Sequence, residues 1–138
     1  KRQLGAESLT RIIVSPRKRT LETANIIASI IGFQKEAIEY DERLAERDCG
    51  PYIGQLIADT FSKSEEELVK GGMEPLADLY ARTDNFYAEL LTANSPGNVL
   101  LVGHSGNIAP LVFAAKQAQL GTRIEVPSLP LDKVMRLS

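Results

Sequence analysis

The order of elements in this chain predicts an α/β fold, a three-layer α/β/α arrangement around a mainly parallel sheet, in one domain spanning residues 1–138. Short apolar runs alternate with segments of helical period, as parallel sheets require. The run Val99-Leu100-Leu101-Val102 is apolar at every position, which suits a strand covered on both faces. That run ends in Gly103-His104-Ser105-Gly106, so the only histidine of the chain stands where a buried strand meets a helix. Open α/β sheets gather their ligands at such junctions.

The elements follow in order. Leu9-Thr10-Arg11-Ile12-Ile13-Val14 is short and β-branched and reads as the first strand, stopped by Ser15-Pro16. Ser15 at the N-cap and Pro16 at the first helical position then predict a helix. Its apolar residues Leu21, Ala24, Ile27, Ala28 and Ile31 recur at helical spacing until Gly32 closes it. Glu36 to Tyr40 predicts a second short strand, and Asp41 to Gln55, polar and broken by Gly and Pro, a loop. A weakly helical piece from Ser64 to Val69 leads to Gly71-Gly72. The stripe Leu76, Leu79, Tyr80, Phe86, Tyr87, Leu90 and Leu91 predicts a longer helix, ended by Asn94-Ser95-Pro96-Gly97. Asn98 to Val102 is the third strand, Asn107 to Gln119 the next helix, and Val134 to Leu137 a last strand. The chain has no internal repeat, low-complexity tract or interdomain linker.

Composition narrows the function classes. With 43% apolar and 25% charged residues the chain is ordinary globular material. Its apolar runs fall well short of the roughly 18 residues of a membrane span, and no charged-then-apolar leader opens it, so a soluble, cytoplasmic protein is expected. A net charge of −2 offers no general attraction to nucleic acid or to an anionic membrane, and any anion site must be local. One cysteine excludes an intrachain disulfide and a cysteine-built zinc site. Lys1-Arg2-Gln3-Leu4 reads like the end of a basic amphipathic helix, from which upstream sequence is expected. Oligomeric state is open, because Tyr80, Phe86 and Tyr87 suit an internal contact or a partner equally.

Three constellations carry candidate chemistry. Arg17-Lys18-Arg19 places three cations in the first turn of a predicted helix, where the helix dipole already contributes positive charge. A bound phosphate would relieve that conflict, and arginine suits its bidentate geometry. On charge alone the triplet is a solvated surface cluster; its place after a sheet strand favours the functional reading. His104, between Gly103 and Gly106, lies where backbone can approach a ligand closely. Glu46, in Leu44-Ala45-Glu46-Arg47, suits a general acid where burial raises its pKa, and a solvated loop carboxylate otherwise.

Together these segments resemble the histidine phosphatase superfamily, the phosphoglycerate mutase-like enzymes, from about Thr10 to the C-terminal end. Ser15-Pro16-Arg17-Lys18-Arg19-Thr20-Leu21-Glu22-Thr23-Ala24 is similar to the family's Ser-Pro-x-x-Arg-Ala-x-Gln-Thr-Ala segment, with Thr20 for Ala and Glu22 for Gln. The resemblance makes Arg19 a phosphate-binding catalytic residue. Leu44-Ala45-Glu46 resembles the Leu-x-Glu segment, which implies Glu46 as proton donor to the leaving oxygen. Val102-Gly103-His104-Ser105-Gly106 resembles the second-histidine motif, which implies that His104 stabilises the transferring phosphoryl group, with Ser105 a further substrate contact. Gly72-Met73-Glu74-Pro75 with Arg82 loosely resembles the Gly-Glu-Ser…Arg segment. The implied fold is phosphoglycerate mutase-like, with a short cap around residues 51–78. The implied reaction is phosphomonoester hydrolysis through a phosphohistidine, needing no metal and no cofactor, on a small phosphorylated metabolite or a phosphoprotein.

The family attacks with a histidine of an Arg-His-Gly motif after the first strand, and this sequence has none. The expectation is that this strand and part of its crossover, at least about 20 residues, lie upstream of Lys1. The other account is an inactive phospho-ligand-binding protein. The segment from Gly50 to Leu79 has no basic cluster for a bisphosphate, which favours a hydrolase over a mutase. Cap residues Tyr52, Phe61 and Met73 suit substrate contact or the core alike. Two rival chemistries fail. Gly103-His104-Ser105-Gly106-Asn107 nearly matches a Gly-x-Ser-x-Gly elbow, but no histidine follows Ser105 to complete a triad. Cys49 as a tyrosine-phosphatase nucleophile lacks its arginine, since the residue six positions on is Gln55, so an inert thiol is expected.

Overall fold

A computed structural model describes residues 9–93 and 97–108. Three parallel strands, β1 (Leu9–Val14), β2 (Glu39–Tyr40) and β3 (Asn98–Val102), form a sheet in the order β2-β1-β3. Strand β1 is central, with Ile13 and Val14 opposite Glu39 and Tyr40 on one side and Leu101 and Val102 on the other. All three strands therefore end along one edge, and the segments that follow them carry the candidate site. The register of β1 on β3 slips between Leu9 and Arg11, where the Thr10 hydroxyl donates to the Asn98 carbonyl at 3.3 Å.

Alternation along β1 sends side chains to two separate cores, the expected consequence of a two-residue period in a strand covered on both faces. Ile12 and Val14 pack with Ala24 and Ala28 of α1 (Lys18–Ile31), with Ile38 and with Val102. Ile13 faces the other way, onto Leu44 and onto Phe86 and Tyr87 of α4 (Leu76–Thr92). Each fully buried aliphatic side chain contributes about 1.5–3 kcal/mol. Helix, sheet, helix is the three-layer arrangement expected from the sequence.

Helix α1 closes as predicted: Gly32 takes a left-handed φ of 74° and its N–H donates to the Ala28 carbonyl. Its start differs. The N-cap is Arg17, without a capping side chain, rather than Ser15. The Ser15 hydroxyl is engaged elsewhere, as the site geometry shows, and Arg17 thereby sits before the first turn instead of within it. The segment Asp41 to Gln55 contains 3-10 turns at Glu42–Leu44 and Gly50–Tyr52. Two short helices follow, α2 (Ile57–Phe61), which no sequence pattern announced, and α3 (Glu65–Lys70). Ser64 and Glu67 form a reciprocal capping box at the start of α3. Residues 105–108 are helical, so the helix expected at Asn107 begins two residues earlier. The rest of that helix, the strand expected at Val134 to Leu137 and the N-terminal Lys1-Arg2-Gln3-Leu4 lie outside the described residues. Among the described residues no helix is long and apolar enough to cross a membrane.

Candidate active site

The site starts where β1 ends. The Ser15 N–H donates to the Val102 carbonyl at 2.9 Å, continuing the β1–β3 ladder one step and fixing Ser15 with no solvent exposure. The Thr20 hydroxyl closes this turn from within α1, 2.9 Å from the Ser15 carbonyl and 2.6 Å from that of Arg17. The Ser15 hydroxyl is thus left to face the loop after β3, where it lies 2.8 Å from Nε2 of His104. Arg19, in the first turn of α1, approaches the other ring nitrogen, its Nε at 3.2 Å and its Nη2 at 2.7 Å from Nδ1.

This pattern sets the state of His104. A guanidinium has only donors, so Nδ1 must offer a lone pair. The proton of the neutral ring then sits on Nε2 and is donated to Ser15. Burial, to 6% exposure, pushes the His104 pKa down, and Arg19, Arg17 and Arg82 add to that while Glu46 opposes it. The hydrogen bonds and the burial thus both favour a neutral imidazole, its acceptor nitrogen turned to Arg19 and Glu46.

Glu46 reaches the same nitrogen from the segment after β2. The Asp41 N–H bonds the Val14 carbonyl at 3.1 Å, so this segment leaves the same sheet edge. Asp41 caps the next turn and pairs with Arg43, which also reaches Asn85 and Glu89 of α4 and lies over the Phe86 ring. Leu44 plugs the α4 core, fully buried. Two residues later the Glu46 carboxylate stands 3.8 Å from both Arg19 Nη2 and His104 Nδ1, while its other oxygen accepts from the Arg47 N–H at 3.1 Å. Gly106 makes room for it: a Cβ there would lie 2.4 Å from Oε1 of Glu46.

The loosely matched Glu74 and Arg82 form a brace under this loop. Arg82 donates to both carboxylate oxygens of Glu74, at 2.7 and 3.0 Å, and also to the carbonyls of Arg43 and Glu46, at 2.6 and 3.3 Å. The bond from Arg82 holds the Glu74 carboxyl below its usual pKa. Glu74 in turn accepts from the Asp48 N–H, and Arg47 donates to the Glu74 carbonyl. Glycine is required where this brace folds back on the loop: Gly50 has a φ of 49°, and a Cβ there would overlap the Gly72 carbonyl oxygen at 2.3 Å.

Of the residues selected from sequence, Arg19, Glu46 and His104 converge. Ser105 does not join them; it is exposed, and among the described residues no hydrogen bond links its side chain to the cluster. Cys49 is half-buried, its thiol 3.7 Å from the Arg47 carbonyl. Met73 belongs to the core. Two residues at the site were missed. The sequence offers Ser15 as a helix cap and as the head of the Ser-Pro segment, with no partner for its hydroxyl. Asn107 was read only as a helix start, yet it is fully buried and bonds both the His104 backbone and the carbonyls preceding Glu46.

Comparison with known proteins gives the family and the fold. The chain is similar in structure to mycobacterial glucosyl-3-phosphoglycerate phosphatase, at 25% identity and a TM-score of 0.61 over 81% of this chain and 60% of the other. It is similar in fold to a protein described as mycobacterial hydrolase 1, at 24% identity and a TM-score of 0.63 over 81% of this chain and 63% of the other. The product of an open reading frame of Mycobacterium tuberculosis aligns at 24% identity and a TM-score of 0.53, over 93% of this chain and 69% of the other. The chain thus spans less than two thirds of the length of the first two of these proteins. A search of curated proteins found no significant match. The family model for branch 1 of the histidine phosphatase superfamily matches residues 1–131, and the chain belongs to that superfamily.

Proposed function

We propose that these residues form the phosphoryl-binding and proton-donating part of a phosphomonoesterase working through a phosphohistidine. The observation that carries this reading is the convergence of a guanidinium and a carboxylate on one buried imidazole nitrogen, Arg19 and Glu46 both within 4 Å of Nδ1 of His104. An arriving phosphoryl group would replace the imidazole as the partner of Arg19, whose fork matches two of its oxygens. His104, taking up a proton, would then donate from Nδ1 to a third. The attacking histidine is expected upstream, in the family's Arg-His-Gly motif.

In the first step a ring nitrogen of that upstream histidine bonds to phosphorus in line while the bond from phosphorus to the ester oxygen breaks, and Glu46, in its protonated form, gives its proton to the departing alkoxide. In the second, Glu46 takes a proton from water, the oxygen of which displaces the histidine and releases inorganic phosphate. Arg19 and His104 neutralise the charge on the equatorial oxygens in both steps, so cationic side chains supply the charge stabilisation. A small phosphorylated metabolite is the favoured substrate class, supported by the similarity to a glucosyl-3-phosphoglycerate phosphatase. Between Gly50 and Leu79 the only cations are Lys63 and Lys70, which favours hydrolysis over a bisphosphate-dependent mutase.

A second reading rests on one specific observation: 138 residues contain one histidine, and His104 cannot be both attacker and stabiliser. A phospho-ligand receptor would keep Arg19 and His104 and bind without turnover. Arg19→Ala in the full-length protein decides for or against the enzyme. Phosphomonoester turnover should fall by roughly 10²–10³-fold, the scale of a lost oxyanion donor; unchanged turnover refutes the proposal.

A further inference from the structure

The two segments that meet at the site are far apart in the chain, and one buried amide joins them. Asn107 has no solvent exposure. Its Oδ1 accepts the His104 N–H at 3.0 Å, and its Nδ2 donates to the carbonyls of Leu44 and Ala45, the latter at 3.0 Å. Those carbonyls belong to the two residues immediately before Glu46. An amide is the one short uncharged side chain with both a double donor and an acceptor, as this position needs. Two glycines ahead of Asn107 leave room for the joined groups. A Cβ at Gly103 would lie 2.7 Å from the Asn107 oxygen, and one at Gly106 would lie 2.4 Å from the Glu46 carboxylate.

We propose that Asn107 is a positioning residue that sets Glu46 in register with His104, so that proton donation is aimed at the leaving oxygen of a phosphoryl group held by Arg19 and His104. This inference rests on the phosphatase reading. Its consequence is chemical. A well-aimed acid matters most when the leaving alkoxide is a poor one, and little when the departing group is already stable as an anion.

The test is Asn107→Asp in the full-length protein, a change that keeps the shape and the acceptor but turns the donor into an oxygen facing two carbonyls. kcat/KM, which reports the phosphorylation step and not the later hydrolysis that both esters share, is measured on an alkyl phosphate and on p-nitrophenyl phosphate, with inhibition by inorganic phosphate as a probe of the phosphoryl site. Expected is a loss of about 10²-fold on the alkyl ester, the scale of a 1 Å misplacement, with much smaller changes on the aryl ester and in phosphate inhibition. In a Glu46→Gln background the Asn107 change should cost nothing further on the alkyl ester, because both act through one proton. Equal losses on both esters, or weakened phosphate inhibition, would make Asn107 merely structural and overturn the inference. If Glu46→Gln alone spares the alkyl ester, the assignment of Glu46 fails, and the inference with it. Should Asn107→Asp not fold, Asn107→Ser is read against the same outcomes.

Discussion

Replacing Gly106 by alanine separates the site from the fold. Gly106 lies in a helical stretch with an ordinary backbone conformation, so alanine is no strain there and gains roughly 0.5–1 kcal/mol of helix preference. The added methyl meets only the end of the Glu46 side chain, 2.4 Å from Oε1 and 3.5 Å from Cδ. Restoring an ordinary contact of 3.4 Å pushes that oxygen away by about 1 Å. The contact falls on the far end of a partly solvated side chain, so the displacement costs little stability. Its effect on proton donation should be large, on the order of 10²-fold in kcat for an alkyl phosphate. Urea unfolding together with steady-state kinetics on the full-length protein checks both halves. A stability within about 1 kcal/mol of the natural protein and a strongly reduced kcat is expected. Full activity on the alkyl ester would mean that the position of Glu46 is irrelevant, and would refute the reasoning.

Two further expectations concern His104. Ser15→Ala removes the hydrogen-bond partner of Nε2 inside a buried turn and should cost about 1–3 kcal/mol in denaturant unfolding; no loss would contradict that hydrogen bond. The depressed pKa of His104 also has a pH signature, because the unfolded chain protonates at about 6.5 before the folded one does. Above that pH both states are neutral and the stability is complete; as pH falls toward the lower folded value, stability is lost. His104→Gln should abolish that loss while leaving the steeper one at lower pH, where Glu39, Asp41 and Glu74, held down by their arginine partners, take up protons.

Strands β1 and β3 and helices α1 and α4 were legible because burial on a sheet or helix face imposes a short period on the sequence. Arg19, Glu46 and His104 were legible through motif resemblance, each lying just after the end of a strand. What escaped were contacts between side chains distant along the chain. Ser15 carries the pattern of a helix cap, and only the arrival of His104, 89 residues later, gives its hydroxyl a better partner. Asn107 likewise serves carbonyls more than 60 positions away, which no local periodicity records. Helix α2 is five residues long, too short for its spacing to announce it.

The central claim, that Arg19 and His104 hold a phosphoryl group in transit to and from a histidine, is tested most directly by rapid quenching of the full-length protein with a phosphomonoester. The account predicts a phosphoenzyme that is destroyed by acid and preserved in base, absent in Arg19→Ala and His104→Ala. In Glu46→Gln it should still form from p-nitrophenyl phosphate but hardly from an alkyl ester. Turnover with no such intermediate, or an intermediate untouched by loss of Arg19 and His104, would contradict it.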